Sequence, residues 1–270
     1  MTILQITWDV SPVIFSLGPI SVRWYGLFWA LSFYLGYEMI SRIFKREGVP
    51  QVQADKLLIY MAIGSIIGAR LGHCFFYDFN YFIQNPVEIF KIWQGGLASH
   101  GGALGILVAL YFYQKKTSSK SFVWLLDRLV IPISLAAFFI RMGNLMNSEI
   151  YGHATDLPWG FIFERAGEVV PKHPTQFYEG IPYLLLFFVL GWLYLKKSHV
   201  LPPGFLMSVF AIVMFSVRIL VEFVKLDQSP FEANMILNMG QILSIPLLLA
   251  GIGIMVWSLK QKPEKLLGKN

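Results

Sequence analysis

The sequence predicts an all-α polytopic membrane protein of about seven transmembrane helices, with its N-terminus outside and its C-terminus in the cytoplasm. Three observations lead there. Of the 270 residues, 56% are hydrophobic and only 14% are charged, against about 25% charged in an average soluble domain. The apolar residues gather into runs near the roughly 20 residues with which a helix crosses a bilayer. The cationic residues alternate between connecting loops, as they do where cytoplasmic loops retain lysine and arginine.

The first run, Ile14 to Met39, follows "MTILQITWDVSP". That opening lacks a basic n-region, so the run is expected to be a retained span and not a cleaved signal. The second run, Leu57 to Tyr77, contains "GARLGH". After it, residues 78–94, "DFNYFIQNPVEIFKIWQ", set apolar side chains at helical spacing around Pro86. That is the pattern of an amphipathic arm lying in the membrane interface. The third and fourth runs, Leu97 to Tyr113 and Phe122 to Ile140, are short or interrupted by polar residues. The loop charges support reading them as spans. Residues 144–176 form the longest polar segment, in which Gly152, Pro158, Gly160, Gly167, Pro171 and Pro174 punctuate strand-like pieces such as "WGFIFE". This segment is expected to be a small external cap. The last three runs are Phe177 to Leu195, Gly204 to Val224 and Met235 to Leu259. The chain, residues 1–270, reads as a single membrane-embedded domain.

Alternate loops hold thirteen of the 22 cationic residues on one side, whereas the other side holds only Lys91, Arg165, Lys172 and Lys225. The net charge of +6 is thereby explained by topology. The charges flank spans and do not cluster with exposed aromatics, which excludes a nucleic-acid partner. Cys74 is the lone cysteine and has no internal disulfide partner; it reads as a small buried hydrophobe. The five histidines show no paired ligand spacing, so neither a metal nor another cofactor is expected.

The five remaining cations are all arginine: Arg23, Arg70, Arg128, Arg141 and Arg218. Charge at membrane depth is costly and marks pathways and sites, and the guanidinium fork matches phosphate or carboxylate. An anionic ligand in or near the membrane is one reading. The other is structural pairing. Asp127 sits beside Arg128, Glu222 follows Arg218 by one helical turn, and Arg23 and Arg70 could anchor at an interface. Arg141 stands apart, because its nearest acid is Glu149, beyond Gly143 and Asn144, which read as helix breakers. Its expected partner is a ligand. His100, in "GGLASHGGALG", is structural by default, as ring nitrogens near helix ends readily find backbone partners. The charge pattern places His100, Arg141, Asn144, Asn147, Glu149, His173, Glu179 and Arg218 at the outer ends of their spans, where they could form one constellation.

The segment "RMGNLMNSEIYG" resembles the signature of the prolipoprotein diacylglyceryl transferase family. "SVRWYGL", "GARLGH", "GGLASHGG", "HPTQFYE", "RILVEF" and "NMGQILSIP" resemble further segments of that family in the same order, over nearly the whole chain. The resemblance implies an enzyme that moves the diacylglyceryl group of phosphatidylglycerol to the thiol of the lipobox cysteine in a preprolipoprotein signal peptide. A thioether forms and glycerol phosphate leaves, as the first step of lipoprotein maturation. It further implies the bilayer of the bacterial cytoplasmic membrane as the location, with the chemistry at the outer face.

By the same resemblance His100 accepts the thiol proton, Arg141 grips the head-group phosphate, and Arg218 stabilises charge on the leaving phosphate with Glu222 holding its fork. Asn144, Asn147 and Glu149 orient the glycerol or shape a turn that Gly143 and Gly152 permit, and Tyr25 hydrogen-bonds substrate. Capping of a broken helix is the competing reading for the asparagines and Glu149. Tyr178 and Glu179 are expected to brace the cap against the bundle. The chain departs from the family pattern at Ile140, Leu145 and Met214, where glycine, an aromatic and, in some relatives, tyrosine stand. Two rivals remain open. A transporter for an anionic solute would be expected to carry inverted repeats and broken midplane helices, neither of which the sequence displays. A membrane scaffold would tolerate replacement of Arg141.

Overall fold

The computed structural model describes residues 6–263 apart from Pro19, Trp93, Gln94, Leu97, Ser119, His199 and residues 228–231 and 233–234. The side chains of Ile20, Ser99 and His100 also lie outside the described residues. The chain is mostly helical, and five of its helices are long and apolar enough to cross a membrane. It divides into two compact units, one of residues 1–39 and 126–266 and the other of residues 40–125 and 267–270.

The first expected span needs correction. Strands β2 (Val13–Leu17) and β3 (Ile20–Arg23) pair antiparallel, and helix α1 begins only at Trp24, running to Arg46. The run "VIFSLGPISV" is β-branched and aromatic on either side of Gly18 (φ 58°), so its apolar character serves a hairpin. The hairpin is a short addition to a mostly helical chain, so the all-α polytopic membrane class fits.

In the second unit, α2 (Gln51–Phe76) lies directly against α4 (Ser99–Lys116). Gly64, Gly68 and Gly72 on α2 face Gly101, Gly105 and Ala109 on α4, and a Cβ built on Gly68 would come within 2.7 Å of the Gly105 Cα. Small residues let helix backbones approach where lipid supplies no hydrophobic driving force. Gly105→Ala is accordingly expected to lower stability by about 1–3 kcal/mol. Thermal unfolding in detergent checks this, and an unchanged midpoint would contradict the backbone contact.

Backbone carbonyls hold the Arg70 guanidinium. It is buried near the end of α2, donating from Nε to Ile89 O at 2.9 Å, from Nη1 to Gly95 O at 2.6 Å and from Nη2 to Glu88 O at 2.6 Å. Its fork thus fastens the loop after α3 (Phe79–Gln84), where a 3-10 turn spans Pro86–Phe90. Phe79, Ile83, Val87 and Phe90 are exposed along this segment while Phe82 is buried, so the amphipathic spacing survives in two short helical pieces.

In the first unit, α5 (Phe122–Met146), α6 (Thr175–Lys197), α7 (Phe205–Glu222) and α8 (Met239–Ser258) supply four of the five candidate spans. Gly251 of α8 packs on Ala211 of α7, where a Cβ would sit 2.8 Å from the alanine methyl. Asp127 accepts from Gly204 N at 2.6 Å and Met207 N at 2.8 Å, satisfying the exposed start of α7. Arg128 lies beside it at 4.0 Å, so for this arginine the paired, structural reading holds.

Residues 144–176 fold back through short bridges: β4 (Phe161–Phe163) runs parallel to β1 (Ile6–Trp8), Ala154 and Phe161 each pair with Lys172, and Gly152 pairs with Lys225. Met142, Leu145, Phe161 and Phe163 form its buried core, with Trp8, Phe28, Phe138, Tyr151 and Phe177 packed around them.

Candidate active site

Helix α5 does not break at Gly143 and Asn144 but continues to Met146. Arg141 and Asn144 therefore sit one turn apart on the same helical face. Gly143 is needed there for close approach, since a Cβ would lie 2.6 Å from Cδ2 of Tyr25. The Tyr25 phenol is thereby held within electrostatic reach of Glu149 and Arg141.

Beyond the helix the chain turns sharply. Ser148 (φ 52°) and Ile150 (φ 58°) both adopt the left-handed region, which costs energy for a residue with a Cβ, most of all a β-branched one. The first turn of α6 holds this strain in place: Gln176 Nε2 donates to Glu149 O and Thr175 Oγ1 donates to Ile150 O, both at 2.7 Å. The Glu149 side chain is thereby turned back towards α5. Its Oε1 accepts from Asn144 Nδ2 at 2.8 Å and from Asn147 Nδ2 at 3.2 Å. Asn144 Oδ1 in turn accepts from Arg141 Nη1 at 3.0 Å. Asn144 thus bonds charged side chains at both ends of its amide, so the capping reading does not describe it.

Arg141 is not without a protein partner, contrary to expectation. Its Nε is ion-paired with Glu179 Oε2 from the first turns of α6. The sequence hid this pair because the two residues lie on different helices. Tyr178, the neighbour of Glu179, reaches residues 144–176: its hydroxyl accepts from Trp159 Nε1 at 2.8 Å and lies 3.1 Å from His173 Nδ1. Glu179 is 1% exposed, and its Oε1 accepts from Lys225 Nζ at 3.2 Å.

Lys225 is the residue that sequence reasoning missed. Counted with the outer loops, it is instead 4% exposed and bridges Glu179 to Glu222, whose Oε1 lies 2.9 Å away. Glu222 Oε2 accepts from Asn238 Nδ2 at 3.1 Å, and Asn238 is the N-cap of α8 in a capping box with Gln241. The motif "NMGQ" was a legible signal for that cap. Gly240 completes it, because a Cβ there would run into the Glu222 carboxylate. The expected pairing of Arg218 with Glu222 is not found among the described residues; Arg218 donates from Nε to Ser244 Oγ at 3.4 Å. Lys225 on Oε1 and Asn238 on Oε2 draw the Glu222 carboxylate to their side instead.

Gly152 pairs its backbone with His173 and faces Val224, the residue before Lys225, leaving no room for a side chain. Away from this network the cap has its own polar ties. Burial, and then the hydrogen bond to Glu168, push the Tyr151 hydroxyl up to about 12. Burial favours the neutral Glu168 carboxyl, but the hydrogen bonds from Lys172 and Tyr151 outweigh it and hold the group below the usual carboxylate range. Burial, and then the nearby His153, keep His173 below the ordinary histidine value. These groups hold the cap together and need no substrate to account for them.

The structure thus brings Tyr25, Arg141, Asn144, Asn147, Glu149, Gly152, Arg218 and Glu222 into one unit with Glu179 and Lys225. His100 belongs to the other unit, as the second residue of α4, and its side chain lies outside the described residues.

The family model for prolipoprotein diacylglyceryl transferase matches residues 12–257. The chain belongs to this family. Among its relatives, the phosphatidylglycerol-prolipoprotein diacylglyceryl transferase of Chloroherpeton thalassium is 47% identical over 95% of this chain and 95% of its own length. The protein of the same name from Tolumonas auensis is 44% identical over 94% of this chain and 98% of its own. That from Porphyromonas gingivalis is 43% identical over 94% and 95%. The match to the prolipoprotein diacylglyceryl transferase family takes in the hairpin, α1, the cap and all five candidate spans up to Trp257. Every member of the Arg141, Glu179, Lys225 and Glu222 network falls inside it.

Proposed function

We propose that this protein transfers the diacylglyceryl group of phosphatidylglycerol to the lipobox cysteine thiol of preprolipoproteins. The observation that carries the reading is Arg141, whose guanidinium is oriented by Glu179 and Asn144 while Nη2 has no hydrogen bond among the described residues. A guanidinium held at two edges and open at the third suits a phosphate diester. Membership of the family and the names of its members support the same substrates.

The reaction needs little beyond positioning and charge stabilisation. The cysteine sulfur attacks the glycerol carbon of the diacylglyceryl group, a C–S bond forms, and the C–O bond to phosphate breaks. The leaving glycerol phosphate gains negative charge, which Arg141 and Arg218 stabilise. Asn144, Asn147 and Glu149 present a polar rim to the glycerol hydroxyls, and Tyr25 lies against it. His100 accepts the thiol proton. A free thiol has a pKa of about 8.5, so His100→Gln is expected to lose most activity at neutral pH and to regain part of it as pH rises towards that value. A pH-rate profile checks this, and near-normal turnover at every pH would remove His100 as the base.

In this reading all seven apolar helices, α1, α2 and α4 to α8, span the bacterial cytoplasmic membrane. The N-terminus and the catalytic residues lie at the outer face, residues 78–94 rest in the interface and residues 144–176 cap the outer side. The deciding experiment supplies purified protein with labelled phosphatidylglycerol and a synthetic lipobox peptide, beside a peptide with serine in place of cysteine. A thioether product from the cysteine peptide alone is expected. No product from folded protein would overturn the reading.

A further inference from the structure

Arg218 and Glu222 stand four residues apart on α7, a spacing that favours an ion pair on a helix. Yet among the described residues no such pair forms. Lys225 Nζ lies 2.9 Å from Glu222 Oε1 and Asn238 Nδ2 lies 3.1 Å from Oε2, so both carboxylate oxygens are engaged away from Arg218. We propose that Lys225 is a positioning residue: by holding Glu222, it keeps the Arg218 guanidinium free to receive the leaving phosphate. This rests on the transfer reaction proposed above and assigns a role to a residue outside the expected site.

The backbone explains how a residue just past a helix end can do this. Gly152 bridges to Lys225 and His153 N donates to Val224 O at 2.9 Å, so the cap fixes the chain on which Lys225 stands. The side chain then runs inward until only 4% of the residue is exposed. Its ammonium is shared between Glu179 and Glu222, the two buried carboxylates of the network. Arg141 and Lys225 together balance those two acids. Arg218, half-buried and within electrostatic reach of Glu179, is bonded through Nε to the neutral Ser244 hydroxyl and to neither acid among the described residues. A fork not bonded to a carboxylate is what an arginine needs if its charge is to act on a developing phosphate dianion.

Without the Lys225 ammonium, Glu222 keeps only the neutral Asn238 donor, and the cation one turn back on its own helix is Arg218. A carboxylate confined at that depth would turn to it. The leaving phosphate would then have to displace a carboxylate from the guanidinium. Binding of the peptide substrate does not depend on this competition, but turnover does.

The test compares wild type, Lys225→Met, Lys225→Arg and the double variant Lys225→Met/Glu222→Gln, each purified in detergent with phosphatidylglycerol. Lys225→Met is expected to lower kcat at least about tenfold with the KM for lipobox peptide nearly unchanged. Lys225→Arg is expected to retain most turnover. The double variant should be faster than Lys225→Met, because the neutral amide no longer competes for Arg218; a merely structural lysine would give no such recovery. Titration with glycerol phosphate reads the same effect without turnover: weaker binding in Lys225→Met, restored in the double variant. Normal turnover in Lys225→Met, or a folded double variant no better than it in both assays, would overturn the proposal. If Lys225→Met does not fold, Lys225→Gln beside Lys225→Gln/Glu222→Gln makes the same comparison: the double variant should bind glycerol phosphate more tightly than the single one, and equal binding would sink the idea. A wild type that binds glycerol phosphate but forms no thioether would refute the transfer reading while the titration still judges Lys225.

Discussion

Arg141→Ala is expected to reduce transfer by about 10²–10³-fold while the protein inserts and purifies as a folded species. Two features make the effect large. Arg141 contacts Glu179 through Nε and Asn144 through Nη1, so its position does not depend on substrate. A phosphate arriving at Nη2 therefore meets a charge already oriented, and little reorganisation is required at the moment of reaction. Glu179 keeps Lys225 at 3.2 Å when Arg141 is gone, so losing the buried pair lowers stability without unfolding the protein. Arg141→Lys should recover little, because one ammonium cannot serve Glu179, Asn144 and a phosphate in the planar geometry of a guanidinium. The measurement is kcat/KM for phosphatidylglycerol at fixed peptide. A fully active alanine variant would remove the phosphate grip and revive the scaffold reading.

How much of this was legible in the sequence depends on the range over which each feature is determined. Helices α2, α6, α7 and α8 were visible as apolar runs, because span length and composition are local properties. Most of the catalytic candidates in "RMGNLMNSEIYG" were also local, and they do gather around one turn of chain. The hairpin Val13–Arg23 was absorbed into a span because its residues are as apolar as a helix would be, and hydropathy alone does not separate the two. Gly143 and Asn144 read as breakers, yet α5 continues through them. Tyr25 fills the space beside the glycine and charged side chains engage the asparagine, so tertiary contacts outweigh propensity. Least legible were the ion pairs. Arg141 with Glu179 joins two helices, and Lys225 looked like any loop lysine until the cap bridge turned it inward. Sequence spacing can suggest the pair Arg218 and Glu222, but only the packed structure shows that Lys225 and Asn238 reach Glu222 first.

Glu179→Gln is expected to lose stability as well as activity. Glu179 is 1% exposed and accepts from Arg141 Nε, from Lys225 Nζ at 3.2 Å and from Tyr183 OH at 3.5 Å. A glutamine fills the same space but carries no charge, so Arg141 and Lys225 would both lose the carboxylate they share. Breaking one partner out of a buried pair costs about 3–5 kcal/mol, because the remaining charge stays desolvated and uncompensated. That is a large share of the roughly 5–15 kcal/mol of net stability in a folded protein. Activity should fall too, since Arg141 loses the contact that orients it and the freed charge is available to pull Glu222 out of place. Thermal unfolding and transfer, measured on both variants in one detergent, separate the two effects. Both should melt several degrees below wild type, but Glu179→Gln keeps the Arg141 guanidinium and should retain more transfer than Arg141→Ala; a wild-type midpoint for Glu179→Gln would mean that Glu179 is not the buried counter-charge on which the site is built.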